Sequence, residues 1–298
     1  MRSEILAGLL DQPKAVSSKY LYDERGSRLF EEICGTEEYY PARVETGILE
    51  RYADEIAGEL GPDVLLVEPG AGNGRKTEIL LERLGSPTAY MPIDVSREAL
   101  GEAVIRISKR FPKLKVFPIC ADFCEGLPLR KGEGRRPVIF FPGSTIGNFH
   151  PWEAAALLRT FGGPTLVGVD LKKDVDILER AYNDDRGVTA EFNLNLLRRL
   201  NREYGADFRT RAFRHAAFYD RSRSRVEMHL VSEEEQWVRF DGREIRFRAG
   251  ESVRTEVSYK YAPEDFERVA RGAGLKVSRF WADERDWFGL FWCVPHGT

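Results

Sequence analysis

The stretch VLLVEPGAGNGRKTEILLERL, Val64 to Leu84, is where the chain changes its period. A short apolar run enters a turn holding three glycines and leaves as an amphipathic helical pattern. TAYMPIDVSREALGEAVIRISKRF, from Thr88, repeats strand, turn and helix, so the two together read as the start of a βαβ series. KVFPICADF (Lys115 to Phe123) and PVIFFPGSTIGNF (Pro137 to Phe149) supply third and fourth strands. TLVGVDL (Thr165 to Leu171) supplies a fifth after the helical HPWEAAALLRTF. Short apolar strands alternating with helices predict a parallel, doubly wound α/β sheet.

Upstream, YDERGSRLFEEI (Tyr22 to Ile33) places Leu29, Phe30 and Ile33 on one helical face. VETGILERYADEIAGEL (Val44 to Leu60) does the same with Ile48, Leu49, Tyr52, Ile56 and Leu60. Between them Pro41 predicts a loop through EEYYPAR, because the residue before a proline is pushed out of helical geometry. Downstream of Leu171, AYNDDRGVTAEFNLNLLRRLNREY reads as helix, and SRVEMHLVSEEEQWVRF and REIRFRAGESVRTEVSYKY alternate as half-exposed antiparallel strands. PEDFERVARGAGLKVSRFWADERDWFGLFWCV then reads as helix, strand, turn and strand, which would complete a class I methyltransferase sheet.

The expected architecture is therefore a class I, Rossmann-like methyltransferase sheet carrying an inserted α+β domain. Residues 43–172 and 261–298 are expected to form the sheet domain, and residues 1–42 and 173–260 a substrate-binding domain. The 298 residues suffice for about two domains. Charged residues make up 31% of the chain and leave a net charge of -3, so no bulk field draws it to nucleic acid or an anionic membrane. The opening MRSEILAGLLDQPK lacks a signal-peptide pattern and no run of apolar residues is long enough to cross a membrane, so the expectation is a cytoplasmic protein, and a monomer. Four scattered cysteines and four histidines show neither a disulfide framework nor metal-ligand spacing, so no metal is expected.

The glycines of VEPGAGNGRKT suit a turn where a ligand approaches the backbone. Asp94 stands 26 residues after Glu68, at the end of the second strand, where a carboxylate accepts ribose hydroxyls. Asp122 closes the third strand, in position for an adenine amino group. No P-loop GK[ST] is present. The set favours an adenosine ligand needing no pyrophosphate, S-adenosylmethionine more than NAD; each acid taken singly also reads as a helix cap.

FFPGSTIGNF, AYNDDRGVTAEFNLNLLRRLNRE, YDERGSRLFEEI, EEYYPARVE and TEVSYKY together resemble the ergothioneine-pathway L-histidine Nα-methyltransferases, in order and spacing, from about Pro13 to Val294. The resemblance implies three methyl transfers from S-adenosylmethionine to L-histidine, giving hercynine. It implies Tyr22, Gly70 and Lys76 at the methionine end of the cofactor, Asp94 at the ribose and Asp122 at the adenine. It places Asn148 and Tyr182 on the substrate carboxylate, Tyr39 beside the reacting amine, and Glu256 and Ser258 on the imidazole. Phe30, Gly143, Thr145 and Met228 would shape the pocket. Pro69 and Ala71 beside Gly70, and GNGRK before the helix, depart from the family pattern and bear on cofactor affinity. Each residue has an ordinary reading beside these: Tyr39, Tyr182 and Met228 as core, Asn148 as a turn residue, Glu256 and Ser258 as one face of a strand. A same-fold enzyme for tryptophan or tyrosine, and a non-catalytic adenosine-binding module, are the alternatives.

Overall fold

The computed structural model describes residues 2–297 except Ser86, Thr88, Pro128 and 130–135. The chain divides into two compact units, Pro41–Lys172 with Tyr259–Thr298, and Met1–Tyr40 with Lys173–Ser258.

The first unit is built on one sheet. In spatial order its strands are Leu275–Ala282, Phe288–Pro295, Thr165–Asp170, Arg136–Phe141, Val64–Pro69, Ala89–Asp94 and Lys115–Val116, with Ile119–Cys120 also paired to Ala89–Asp94. The pairs from Thr165–Asp170 to Lys115–Val116 are parallel, and Phe288–Pro295 runs antiparallel to both its neighbours. This is the class I methyltransferase arrangement, with its single reversed strand near one edge. The chain order reverses between Val64–Pro69 and Arg136–Phe141, which makes their carboxyl ends the ligand-binding position of such a sheet. Both faces are covered, so Val64–Pro69 and Thr165–Asp170 are buried at every residue. The core joins Leu66, Val138, Phe140 and Leu166 of the sheet to Ile48, Leu49, Ile56 and Leu60 of one helix.

That helix runs Tyr40–Leu60, so of the expected loop EEYYPAR only Glu37, Glu38 and Tyr39 lie outside a helix, and Pro41 falls in the helix's first turn. The first-turn N–H groups of a helix have no intrahelical acceptor, so a proline there forfeits nothing and its fixed φ suits the helix. The third strand is also not continuous. Lys115–Val116 and Ile119–Cys120 pair with the same neighbour but are separated at Phe117 and Pro118, where proline has no N–H to give.

The second unit has a four-stranded sheet in the order Lys14–Ala15, Ser252–Tyr259, Arg225–Ser232 and Phe213–Asp220, together with a hairpin of Gln236–Phe240 and Arg243–Phe247. Helices Glu24–Cys34 and Val188–Tyr204 pack on each other. The expected helix from Ala181 to Tyr204 is interrupted. A short helix Val175–Arg180 ends before Tyr182, and Asp184 restarts the chain by accepting the N–H groups of Val188 and Thr189, each at 2.8 Å.

Candidate active site

In the sheet unit, Val64–Pro69 turns at Gly70 into the glycine loop, and helix Arg75–Arg83 follows. Gly70 has φ +70°, a left-handed conformation that suits glycine, and a Cβ there would stand 3.7 Å from the Phe123 ring. Asp94 closes the next strand. One of its oxygens accepts the Gly72 N–H at 3.0 Å and the other the Ser96 N–H at 2.8 Å, so the carboxylate fixes the glycine loop and keeps lone pairs for further donors. Burial pushes the Asp94 carboxyl above its usual range, against the lowering effect of these bonds.

Glu68 lies wholly inside. Thr77 Oγ1 donates to it at 2.5 Å and the Tyr90 hydroxyl also donates to it, while burial pushes its carboxyl up to about 7. A raised folded-state pKa means that the stability held by the protonated acid is present below the unfolded pKa and is lost as pH rises through about 7. The Glu68→Gln variant is therefore expected to gain about 2 kcal/mol relative to the parent between pH 5 and pH 8. Urea unfolding of both proteins across that range checks this, and parallel pH profiles would contradict it.

The pairing of Asp94 with Cys120, and the Ala121 N–H bonded to the Asp94 carbonyl at 3.1 Å, bring Asp122 close to the second strand end. Asp122 also acts as an ordinary cap, accepting the Cys124 N–H at 3.0 Å. Phe123 beside it stacks edge-on against Phe141 and Phe149 and faces Gly70. Sequence reading missed Phe123, whose only signal was its place after Asp122. The fourth strand leads into Gly143 and the short helical turn Thr145–Asn148. Ser144, before this turn, has φ +55°, and its hydroxyl accepts the Asp170 N–H at 3.0 Å. Thr145 Oγ1 donates to the Pro142 carbonyl at 3.1 Å, and Asn148 ends the turn half-buried. Lys76, in the first turn of its helix, pairs with the buried Glu45.

In the other unit, aromatic rings expected at the site form a connected group. Tyr22 meets Phe30 with centroids 5.6 Å apart, Phe30 meets Tyr39 at 6.0 Å, and Tyr39 meets Tyr182 at 6.2 Å, all edge to face. Burial holds the Tyr39 phenol well above its ordinary pKa, and nearby Tyr182, Cys34, Tyr22 and Glu256 push in the same direction. Tyr39 is thus a neutral phenol with Glu256 within electrostatic reach. Met228 and Ser258 are buried on adjacent strands, and Thr255 Oγ1 donates to the Met228 carbonyl at 3.1 Å. Three residues that motif reading did not single out support this group. Phe192 packs 5.5 Å from Tyr22, Nε2–H of His215 donates to the Tyr182 carbonyl at 2.9 Å, and the amide of Asn193 donates to Nδ1 of His215. Burial lowers the His215 pKa, which keeps the ring in the neutral tautomer these two bonds require. Among the described residues no group of three His, Cys, Asp or Glu is arranged to hold a metal ion, and no helix is long and apolar enough to cross a membrane.

Residues 1–295 match the family model of histidine-specific, S-adenosylmethionine-dependent methyltransferases. The chain belongs to this family. It is 40% identical to the histidine N-alpha-methyltransferase of Mycolicibacterium smegmatis, over 97% of this chain and 93% of that one. It is 32% identical to ergothioneine biosynthesis protein 1 of Neurospora crassa, over 91% of this chain and 32% of that longer protein. It is also 29% identical to the L-tryptophan methyltransferase trpM of Psilocybe serbica, over 96% of this chain and 90% of that one. As a member of the histidine-specific family, the chain is an S-adenosylmethionine-dependent methyltransferase. The glycine loop suits that cofactor: Gly70, Gly72 and Gly74 all hold left-handed backbone, and the Asp94 carboxylate at the end of the neighbouring strand accepts the Gly72 N–H.

Proposed function

We propose that this protein trimethylates the α-amine of L-histidine to give hercynine, the first step of ergothioneine biosynthesis. The observation that carries the reading is the 40% identity, across 97% of the chain, to a relative named for Nα-methylation of histidine. Glu256, half-buried and within electrostatic reach of Tyr39, supports it, because a carboxylate and a hydroxyl can pair with the two ring nitrogens of an imidazole, whereas an indole has a single N–H and no second ring nitrogen. The tryptophan enzyme among the relatives makes that substrate the alternative to test.

In this reading Gly70, Lys76 and Tyr22 hold the methionine end of the cofactor, Asp94 the ribose and Asp122 the adenine. Asn148 and Tyr182 take the substrate carboxylate, and Glu256 and Ser258 the imidazole. Phe30, Gly143, Thr145 and Met228 bound the space around it. The cofactor, when bound, supplies an electrophilic methyl on a sulfonium. The protein's task is mainly to align the amine lone pair and exclude water, since positioning alone is worth several kcal/mol. Only the neutral amine is nucleophilic, and its proton can leave to solvent before transfer. Tyr39, held as a phenol, accepts an amine N–H on its oxygen and so leaves the lone pair turned toward the methyl, without acting as a phenolate base. Such chemistry calls for no metal, and a cytoplasmic monomer goes with the proposal.

After each transfer the new ammonium loses a proton to solvent to regenerate its lone pair, and anchoring the substrate at its two ends lets the amine turn each new methyl aside and present that lone pair again. The third methyl leaves a fixed cation with none, so the reaction should stop there. S-adenosylhomocysteine release measured with each of the twenty amino acids is expected to single out histidine, with trimethylated product by mass. The rate should rise from about pH 6 toward 9 as the α-amine deprotonates. Preference for tryptophan, a monomethyl end product or a flat pH profile would overturn the proposal.

A further inference from the structure

Glu45 is not among the site residues that the resemblance implies, yet its side chain is fully buried beside two that are, Lys76 and Gly143. It lies one turn into helix Tyr40–Leu60, on the sheet-facing side with Ile48 and Leu49. Both carboxylate oxygens accept the Gly143 N–H, at 2.9 and 2.8 Å, and Oε2 also pairs with Nζ of Lys76, which is 21% exposed. Gly168, on the neighbouring central strand, leaves the room: a Cβ there would stand 2.1 Å from Glu45 Oε1 and 3.2 Å from the Gly143 nitrogen.

Burying a carboxylate is unfavourable unless charge and hydrogen bonds compensate it, and an apolar residue at this helix position would serve packing at no such cost. Here a glycine in a central strand, a lysine and a backbone N–H are all committed to one acid. The two groups it joins come from the two loops that flank the reversal of strand order, Lys76 from the helix after the glycine loop and Gly143 from the end of the fourth strand. The buried carboxylate thus holds an ammonium that sits at the end of a flexible four-carbon stem.

We propose that Glu45 is a positioning residue for the cofactor: it fixes the Lys76 ammonium and the Gly143 loop as one rigid receptor for the methionyl end of S-adenosylmethionine. The inference rests on the assignment of Lys76 to that end in the proposed function. Glu45 acts through Lys76 and touches no reacting atom.

Calorimetric titration with S-adenosylhomocysteine, on the parent and on E45Q, K76M and the double variant, tests it. E45Q is expected to weaken binding about tenfold, with kcat at saturating cofactor within about threefold of the parent, so that the loss lies in the cofactor KM. Once Lys76 is gone only the Gly143 N–H is left for Glu45 to hold, and the amide oxygen of glutamine can still accept it, so the double variant should bind within about twofold of K76M. G168A, which crowds the carboxylate and changes no charge, should weaken binding in the same sense. A folded E45Q that binds like the parent, or a double variant about tenfold weaker than K76M, would overturn the inference. If E45Q fails to fold, the double variant decides, since it leaves no unpaired buried charge. Failure of the parent itself to bind would overturn the cofactor reading and this inference with it, whereas normal binding by both parent and E45Q overturns the inference alone.

Discussion

Glu256→Ala is expected to raise the KM for histidine between about tenfold and a hundredfold while cofactor affinity stays within about twofold of the parent. A hydrogen bond to a charged group is worth about 1.5 to 3 kcal/mol, and a factor of ten corresponds to about 1.4 kcal/mol. Glu256 lies in the unit that does not contain the glycine loop, on the strand Ser252–Tyr259, so its removal leaves Asp94 and its N–H donors untouched. Its proximity to Tyr39 adds a second reading. Loss of the carboxylate removes one of the influences that hold the phenol protonated, but burial is the largest of them, so Tyr39 should remain neutral and kcat should fall far less than kcat/KM. Ser258→Ala, which removes a neutral partner, should act in the same direction and more mildly, about threefold to tenfold. Steady-state kinetics with histidine and with tryptophan, beside calorimetry with S-adenosylhomocysteine, measure all of this. Unchanged histidine kinetics in both variants would make TEVSYK a purely structural strand and remove the support that the site gives to histidine over tryptophan, leaving that choice to sequence similarity alone.

What the sequence disclosed depended on the range of the interaction involved. The glycine loop and Asp94 are local: a strand, a turn that needs left-handed backbone at Gly70, and an acid at the next strand end are written within about thirty residues, and the structure puts them side by side. The class I sheet followed from the same alternation, including the last antiparallel hairpin. Local rules misled where two of them competed. Pro41 disfavours helix for the residue before it, yet it also suits a helix's first turn, and the apolar stripe of Ile48, Leu49 and Ile56 decided the matter for the helix. Asp184 looked like one more polar residue on a helix, but its two accepted N–H bonds make it a cap, so the chain breaks at Tyr182. Glu45 and His215 were invisible for another reason. Each looks ordinary in its own segment and gains meaning only from partners far along the chain, Lys76, Gly143 and Gly168 for the first and Tyr182 and Asn193 for the second. Glu45 closes the stretch EEYYPARVE, where nothing local sets it apart from the other acids.

Asp94→Ala should weaken S-adenosylmethionine binding at least tenfold, because the ribose hydroxyls lose a charged acceptor and the glycine loop loses its anchor together. The two losses can be separated. The carboxylate already accepts the Gly72 and Ser96 N–H groups, one on each oxygen, so alanine strands two backbone donors as well as removing the ligand contact. Asp94→Asn keeps one carbonyl oxygen for those donors and turns the other position into a donor, so it should fall between the parent and Asp94→Ala. Proton linkage gives an independent check. Because burial raises the Asp94 carboxyl above its usual range, the parent should begin to lose affinity for S-adenosylhomocysteine as pH falls through that raised value, when the protonated acid no longer offers two charged acceptors. The alanine variant has no proton to bind there, so its weaker affinity should not share that acid limb. Calorimetry from neutral to acid pH on the three proteins would show it. Equal affinity in the parent and Asp94→Ala would take the ribose away from the second strand end, and an identical acid limb in both would assign the titrating group elsewhere.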